Sequence, residues 1–167
     1  MPTIERITKN AQDAATLTRW SGASAGLVLV SGLPGSGKTT TVYACLSQIA
    51  ASTSAKIYVT GDTGVDALQV HQISLGANGA IPSDLDVLFV DEEELWSSAL
   101  DVAKSGHVVF VQIEAASAAQ ARDAFIEATD VSAGENLVGS VWQELVADPV
   151  TGGRKALYSF VSGSLDK

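Results

Sequence analysis

Cysteine occurs once in the 167 residues, at Cys45, so no intrachain disulfide is possible and packing alone must hold the fold. No apolar run approaches the ~20 residues that a membrane-crossing helix requires. The first ten residues interrupt their apolar positions with Glu5, Arg6 and Lys9, which is not the core of a secretory leader. These lacks predict a soluble, cytoplasmic protein without direct membrane insertion. Cations are scarce as well: 10 Lys+Arg stand against 19 Asp+Glu, a net charge of −9. With no basic stripe visible, that balance excludes a general binder of nucleic-acid backbones. Two histidines, His71 and His107, lie too far apart in sequence to suggest a metal site, and neither adjoins Cys45. A thiol nucleophile is therefore the weaker reading of Cys45, and a small buried helix residue the stronger. Trp20, Trp96 and Trp142 are too scattered for a base-stacking platform and are expected in the core or at a subunit contact.

What the chain does have is 46% hydrophobic content in a length suited to one domain with a sizeable core. Its most specific feature is Gly32-Leu33-Pro34-Gly35-Ser36-Gly37-Lys38-Thr39, which fits G-x-x-x-x-G-K-[ST] at every fixed position and follows the apolar run Leu27 to Val30. A strand, a glycine turn and a helix in that order present backbone N–H groups and a helix N-terminus to an anion. The glycines are expected to take positive φ and to let a phosphate approach without a Cβ in the way. Ser36 and Thr40 complete the predicted phosphate cradle. Lys38 would reach β- and γ-phosphates, and the Thr39 hydroxyl would hold Mg²⁺.

Periodicity predicts the rest of the framework. A short helix is expected over residues 8–19 and a helix of about three turns over 39–51, with strands at 56–60, 85–90 and 107–113. Helices are expected near 95–104 and over 116–128. Between 61 and 83 glycine, asparagine and proline predict a long, partly irregular connection. Residues 137–146 and 155–161 read as two strands joined by a turn at Asp148 to Gly153. Strands alternating with helices imply parallel crossovers. The expected fold is an α/β three-layer sandwich with a mainly parallel sheet and a C-terminal hairpin at one edge. Residues 1–167 form a single nucleotide-binding domain: a lead-in over 8–25, a core over 26–134 and a strand pair over 135–163.

A phosphate loop needs an acid at the carboxyl end of a neighbouring strand to orient a metal and activate water. Val87 to Val90 followed by Asp91 and Glu92 fits: Asp91 for the metal shell, Glu92 to polarise the attacking water. Glu93 and Glu94 read instead as acids complementing a helix N-terminus. Glu114 ends the fourth strand, where it would face a γ-phosphate as sensor or base, or else cap a helix. Gln72 and Gln112 are further candidates to face the site.

With these residues in view, the chain resembles the ATPase core of the type II secretion and type IV pilus motors, RecA-like P-loop proteins of the secretion ATPase superfamily. The resemblance lies in Gly26 to Ala44, in Leu85 to Glu93 where Glu92 matches the family's Walker B glutamate, in Ser105 to Phe125 with its Gly-His start, and in Glu135 to Phe160. It implies ATP as the nucleotide, Mg²⁺ as cofactor, and Mg-dependent hydrolysis coupled to an assembly. It also implies a homo-oligomer, a ring being one form, or pilus and secretion proteins as partners at the periphery of a membrane. Departures imply a reduced member. Only Asp62 remains of the Asp-box, Glu114 stands where the histidine motif has His, and the N-terminal domain expected ahead of this core is missing.

Arginine placement adds a constraint. The only arginines are Arg6, Arg19, Arg122 and Arg154, so none lies in the segments around the loop and the acids. Because an arginine on the γ-phosphate is worth roughly 10³ to 10⁵ in rate, intrinsic turnover should be slow unless a neighbour supplies one. Two alternatives to a motor follow: a nucleotide-binding relative that acts as a structural or regulatory switch, and a small-molecule phosphotransferase. The second is disfavoured because such enzymes close an arginine-bearing lid.

Overall fold

The computed structural model describes residues 3–60, the backbone of 71–73, and 84–166. The chain begins with a single helical turn, α1 (Ile4–Ile7), then α2 (Ala11–Ser21), β1 (Gly26–Gly32) and α3 (Lys38–Ser52). β2 (Ile57–Thr60), β3 (His71–Ile73) and β4 (Val87–Val90) follow; a 3₁₀ turn at Glu93–Leu95 leads into α4 (Trp96–Lys104). After β5 (Val108–Glu114) and α5 (Ala118–Ala128), β6 (Leu137–Ala147) and β7 (Arg154–Ser162) close the chain. One sheet in the order β3-β2-β4-β5-β1-β6-β7 joins the seven strands of the described residues. Every pairing is parallel except β6 with β7, which is antiparallel and forms the edge.

The sequence pattern explains why β1 is an interior strand. All seven of its residues are buried, as a parallel strand covered by helices on both faces requires. Period-2 alternation then divides its side chains. Val28 and Val30 join Trp20, Tyr43, Leu46 and Phe89 on one face, under α1 to α3. Leu27 and Leu29 join Trp96, Leu100 and Phe125 on the other, under α4 and α5. Two apolar layers about one sheet are the expected three-layer sandwich, with the hairpin at its edge.

The differences from expectation are local. The first helix is two elements: Thr3 caps α1 and Asn10 caps α2, each side chain accepting from a backbone N–H at the third residue on. Each such cap contributes about 1 kcal/mol, and together they divide a stretch that apolar spacing alone joined. The long connection contains β3, which pairs with β2 through Tyr58↔His71 to Thr60↔Ile73. Three residues are too few to show alternation in sequence. The rest of that connection, including Asp62, and the side chains of His71 and Gln72 lie outside the described residues.

Trp20 and Trp96 are both core residues, and Trp142 donates its indole N–H to the Ala115 carbonyl at 2.9 Å. Burial pushes the Cys45 thiol up to about 11, which leaves almost no thiolate near neutral pH and disposes of the nucleophile reading. His107 precedes β5, and its carbonyl accepts from Gly26 N–H at 3.0 Å, a structural role.

Two contacts tie the ends of the chain to the sheet. Trp20 packs edge-on to Phe160 at 5.4 Å, and a Cβ at Gly139 would run into its indole ring. Gly139→Ala should therefore destabilise by about 1–3 kcal/mol through overpacking, read as a fall of several degrees in Tm. Arg19 donates to Asp166 at 2.9 and 3.1 Å, and that hydrogen-bonded guanidinium holds the Asp166 carboxyl at about 2. An unfolded aspartate titrates near ~3.9, so the pair's contribution is complete above that pH and is lost as pH falls towards 2. The Tm deficit of Asp166→Asn should accordingly shrink over that interval; a deficit independent of pH would contradict the assignment.

Candidate functional site

The carboxyl ends of β1, β4 and β5 meet at one edge of the sheet, the place where open α/β sheets bind ligands. Residues 32–39 form a tight turn there between β1 and α3. Gly35 and Gly37 have φ of 78° and 86°, a region costly to residues with a Cβ. The expectation that Gly32 shares it is corrected, since its φ is not positive. Gly32 is needed for space: a Cβ there would strike Ser36 Oγ and come within 2.7 Å of the Gln143 carbonyl oxygen.

Gln143, on β6, lies in the stretch Glu135 to Phe160 that carries the resemblance, but it is not among the candidate site residues. It is 1% exposed, and its Nε2 donates to the Ser36 carbonyl at 2.7 Å. A buried amide thus holds the middle of the loop from behind. Beyond that resemblance, its sequence signal is a polar residue in a strand that is otherwise apolar on that face.

The front of the loop offers donors. Gly37 is the N-cap of α3 and supplies no side-chain cap, so the first-turn N–H groups of the helix are open to an anion and carry the positive end of the helix dipole. Ser36 Oγ is buried without a hydrogen-bond partner. Lys38 Nζ donates to the carbonyls of Leu33 at 3.1 Å and Gly32 at 3.3 Å, which folds the ammonium over the loop. Positive-φ glycines, an orphan hydroxyl, an uncapped helix start and a covering ammonium together fit a phosphate group.

A cleft of about 400 Å³ opens beside the loop, lined by Pro34, Lys38, Asp91, Glu93, Trp96, Gln112, Ile113 and Glu114. It brings together Lys38, Asp91 and Glu114 from three elements. Glu114 reaches it because Gly32 and Glu114 are register partners across β1 and β5. Asp91 follows directly on β4; partial burial first, then repulsion from Glu92, pushes its carboxyl above the usual carboxylate range, and Lys38 offsets part of this. A cleft with more carboxylates than cations repels a bare phosphate and attracts a divalent cation.

The other predicted residues take separate places. Thr39 Oγ1 donates to Gln112 Oε1 at 2.9 Å, so Gln112 is linked to the loop helix. The Glu92 carboxylate accepts from the Thr60 hydroxyl at 2.8 Å and does not line the cleft. Glu93 and Glu94 lie in the 3₁₀ turn ahead of α4, as a helix-start role predicts, although Glu93 also faces the cleft. Thr40 lies on the loop's opposite flank. Among the described residues, no three His, Cys, Asp or Glu side chains gather closely enough to hold a metal by themselves. Mg²⁺ ordinarily takes one or two protein oxygens with the remainder from water and phosphate, so it needs no such cluster.

A mainly parallel three-layer sandwich with a glycine turn at the carboxyl end of its first, interior strand is a RecA-like P-loop fold. The model for the family described as type II/IV secretion system protein matches residues 2–125, and the chain belongs to that family. The type II secretion system protein HxcR of Pseudomonas aeruginosa is 32% identical over 101 residues, which span 53% of this chain and 22% of HxcR. The pilus retraction motor PilT, solved with bound ADP, superposes with a TM-score of 0.83 at 22% identity, over 98% of this chain and 53% of that one. The Legionella pneumophila ATPase DotB superposes at 0.74 with 17% identity, over 96% of this chain and 50% of DotB. The VirB11 ATPase of the Brucella suis type IV secretion system, solved with sulphate, superposes at 0.66 with 15% identity, over 98% of this chain and 57% of VirB11. The chain spans about half the length of these solved relatives and about a fifth of HxcR.

If Gln143 holds the loop, Gln143→Leu should leave the buried Ser36 carbonyl unpaired, at a cost of about 1–3 kcal/mol. Faster amide exchange confined to residues 35–39 and their neighbours would be the signature. Exchange unchanged there would refute the clamp.

Proposed function

We propose that this chain binds Mg·ATP at residues 32–40 and hydrolyses it, slowly by itself, in the service of a secretion or pilus assembly. The observation that carries the reading is the uncapped start of α3 opening, under Lys38, onto a cleft that holds Asp91 and Glu114. In this reading the backbone N–H groups of the loop, from Gly32 through Pro34 and Gly35 to Thr40, cradle the phosphates. Lys38 leaves the loop carbonyls for the β- and γ-oxygens. Mg²⁺, held by Thr39 and Asp91, would supply charge neutralisation where the carboxylates otherwise repel the nucleotide. Glu92 orients water once released from Thr60, and Glu114 senses the terminal phosphate from β5.

ATP is preferred over other nucleotides on the family's account. Work as a homo-oligomer, a ring among the possibilities, or with pilus or secretion proteins at the cytoplasmic face of a membrane belongs to the same proposal. No helix among the described residues is long and apolar enough to cross a membrane, which accords with peripheral attachment.

A second reading has its own observation. Thr39 and Glu92, the metal and water residues, are both already hydrogen-bonded to side chains of this chain, and Glu114 replaces a histidine of the family pattern. A nucleotide-binding structural or regulatory relative would keep such a resting arrangement. Turnover and affinity, measured together, separate the two. Under the leading reading Lys38→Ala abolishes ATP binding. Glu92→Gln keeps affinity within a few-fold but lowers Mg-dependent phosphate release by about 10²-fold or more, the scale of a lost acid–base group. Binding by the wild type without any turnover would favour the second reading; turnover that survives both substitutions would sink the first.

A further inference from the structure

The flank of the loop opposite the acidic cleft carries the reverse charge. A second cleft of about 200 Å³ adjoins Gly37, Thr40 and Thr41 and is lined by Arg6, Lys9, Arg154 and Lys155, with no carboxylate among its lining residues. Four of the chain's 10 cations meet there from opposite ends of the sequence, on α1 and the segment after it and on the first two residues of β7. The three ion pairs of the described residues all belong to other cations, Arg19, Lys56 and Arg122. Among the described residues none of the four cleft cations lies within ion-pair distance of an acid; the Asp148 carboxyl is held below its usual range first by the Val150 backbone N–H and only lastly by Lys155. In a chain with 19 acids, a cluster of four cations with no close acidic partner among the described residues is a ready site for an anion.

The size of the cleft decides what kind of anion. At about 200 Å³ it is smaller than the ~300–1,000 Å³ of pockets that enclose a whole ligand, and it shares Gly37 and Thr40 with the phosphate loop. It therefore continues that site. A nucleotide lying along the loop has two ends: the terminal phosphate, which needs a divalent cation and suits the acidic flank, and the α-phosphate with its nucleoside. We propose that Arg6, Lys9, Arg154 and Lys155 form a cationic subsite for the α-phosphate and ribose of a nucleotide seated on the loop. This rests on the nucleotide-binding reading above. Ile7, Leu145 and Ala156 supply an apolar wall to the same cleft. The arginines that the sequence seemed to deny the nucleotide are thus supplied by the same chain. They serve its binding end, so the γ-phosphate still lacks a guanidinium.

The test is nucleotide affinity by calorimetry, for ATP and ADP with Mg²⁺, across a series of salt concentrations. The proteins are wild type, Arg6→Ala/Arg154→Ala, the exposed single change Arg154→Glu, Lys38→Ala, and Arg122→Ala as a remote control. Each removed cation should weaken binding by about tenfold, the scale of one charge-assisted contact. Because both nucleotides share the α-phosphate, the loss should be the same factor for each, and the dependence of affinity on salt should become shallower. Arg122→Ala should bind as wild type. If Lys38→Ala loses binding while the Arg6 and Arg154 variants keep wild-type affinity, the subsite is overturned and the loop assignment stands. A loss confined to ATP would place the cations at the γ-phosphate and overturn it also. Unchanged affinity with an altered sedimentation coefficient in Arg154→Glu would make this flank a contact between protein chains instead. Wild type that binds neither nucleotide would overturn the loop assignment itself.

Discussion

The site depends on the way β6 backs the turn after β1. A phosphate-binding turn needs many backbone N–H groups pointing one way, a conformation with few internal hydrogen bonds to hold it. Here the restraint comes from outside the turn: Gln143 donates to the Ser36 carbonyl, and Gly32 packs where no side chain would fit between Ser36 and Gln143. The Gly32 carbonyl also accepts from Ala115 N–H at 3.2 Å, tying the start of the turn to the end of β5. Burial of β1 on both faces makes this possible, because a strand fixed by two apolar layers cannot slide relative to its neighbours. Pre-organisation of the loop is therefore a product of the sheet.

Charge then gives the loop a direction. Asp91, Glu93 and Glu114 stand on one flank with a single ammonium, and four cations stand on the other. A ligand with phosphates at one end and a nucleoside at the other meets an asymmetric field, in which one orientation needs a divalent cation and the reverse places a nucleoside among carboxylates. Membership of the type II/IV secretion family and the superposition on PilT, DotB and VirB11 concern the fold. The polarity comes from this chain's own residues.

Much of this was legible in the residues because it is local. The loop, its preceding strand and the acids after β4 are contiguous motifs, and the helices and strands of the core announce themselves by burial period. The capped division at Asn10 was signalled by a polar residue that accepts from Asp13 N–H, but apolar spacing ran across it. β3 was too short to show a period. The reason for Gly32 was misassigned, since a glycine kept for space and one kept for φ look alike in sequence.

What the sequence by itself determined is therefore the local framework: a strand, a glycine turn and a helix, with acids after the strand β4, since each of these is set by residues adjacent in the chain. Only the tertiary structure decided what surrounds them. It brought Gln143 behind the turn from more than a hundred residues away and turned Glu92 towards Thr60. It also gathered Arg6 and Lys9 with Arg154 and Lys155 on one flank. Those relations follow from strand order and register, which place residues distant in sequence side by side and which no local pattern encodes.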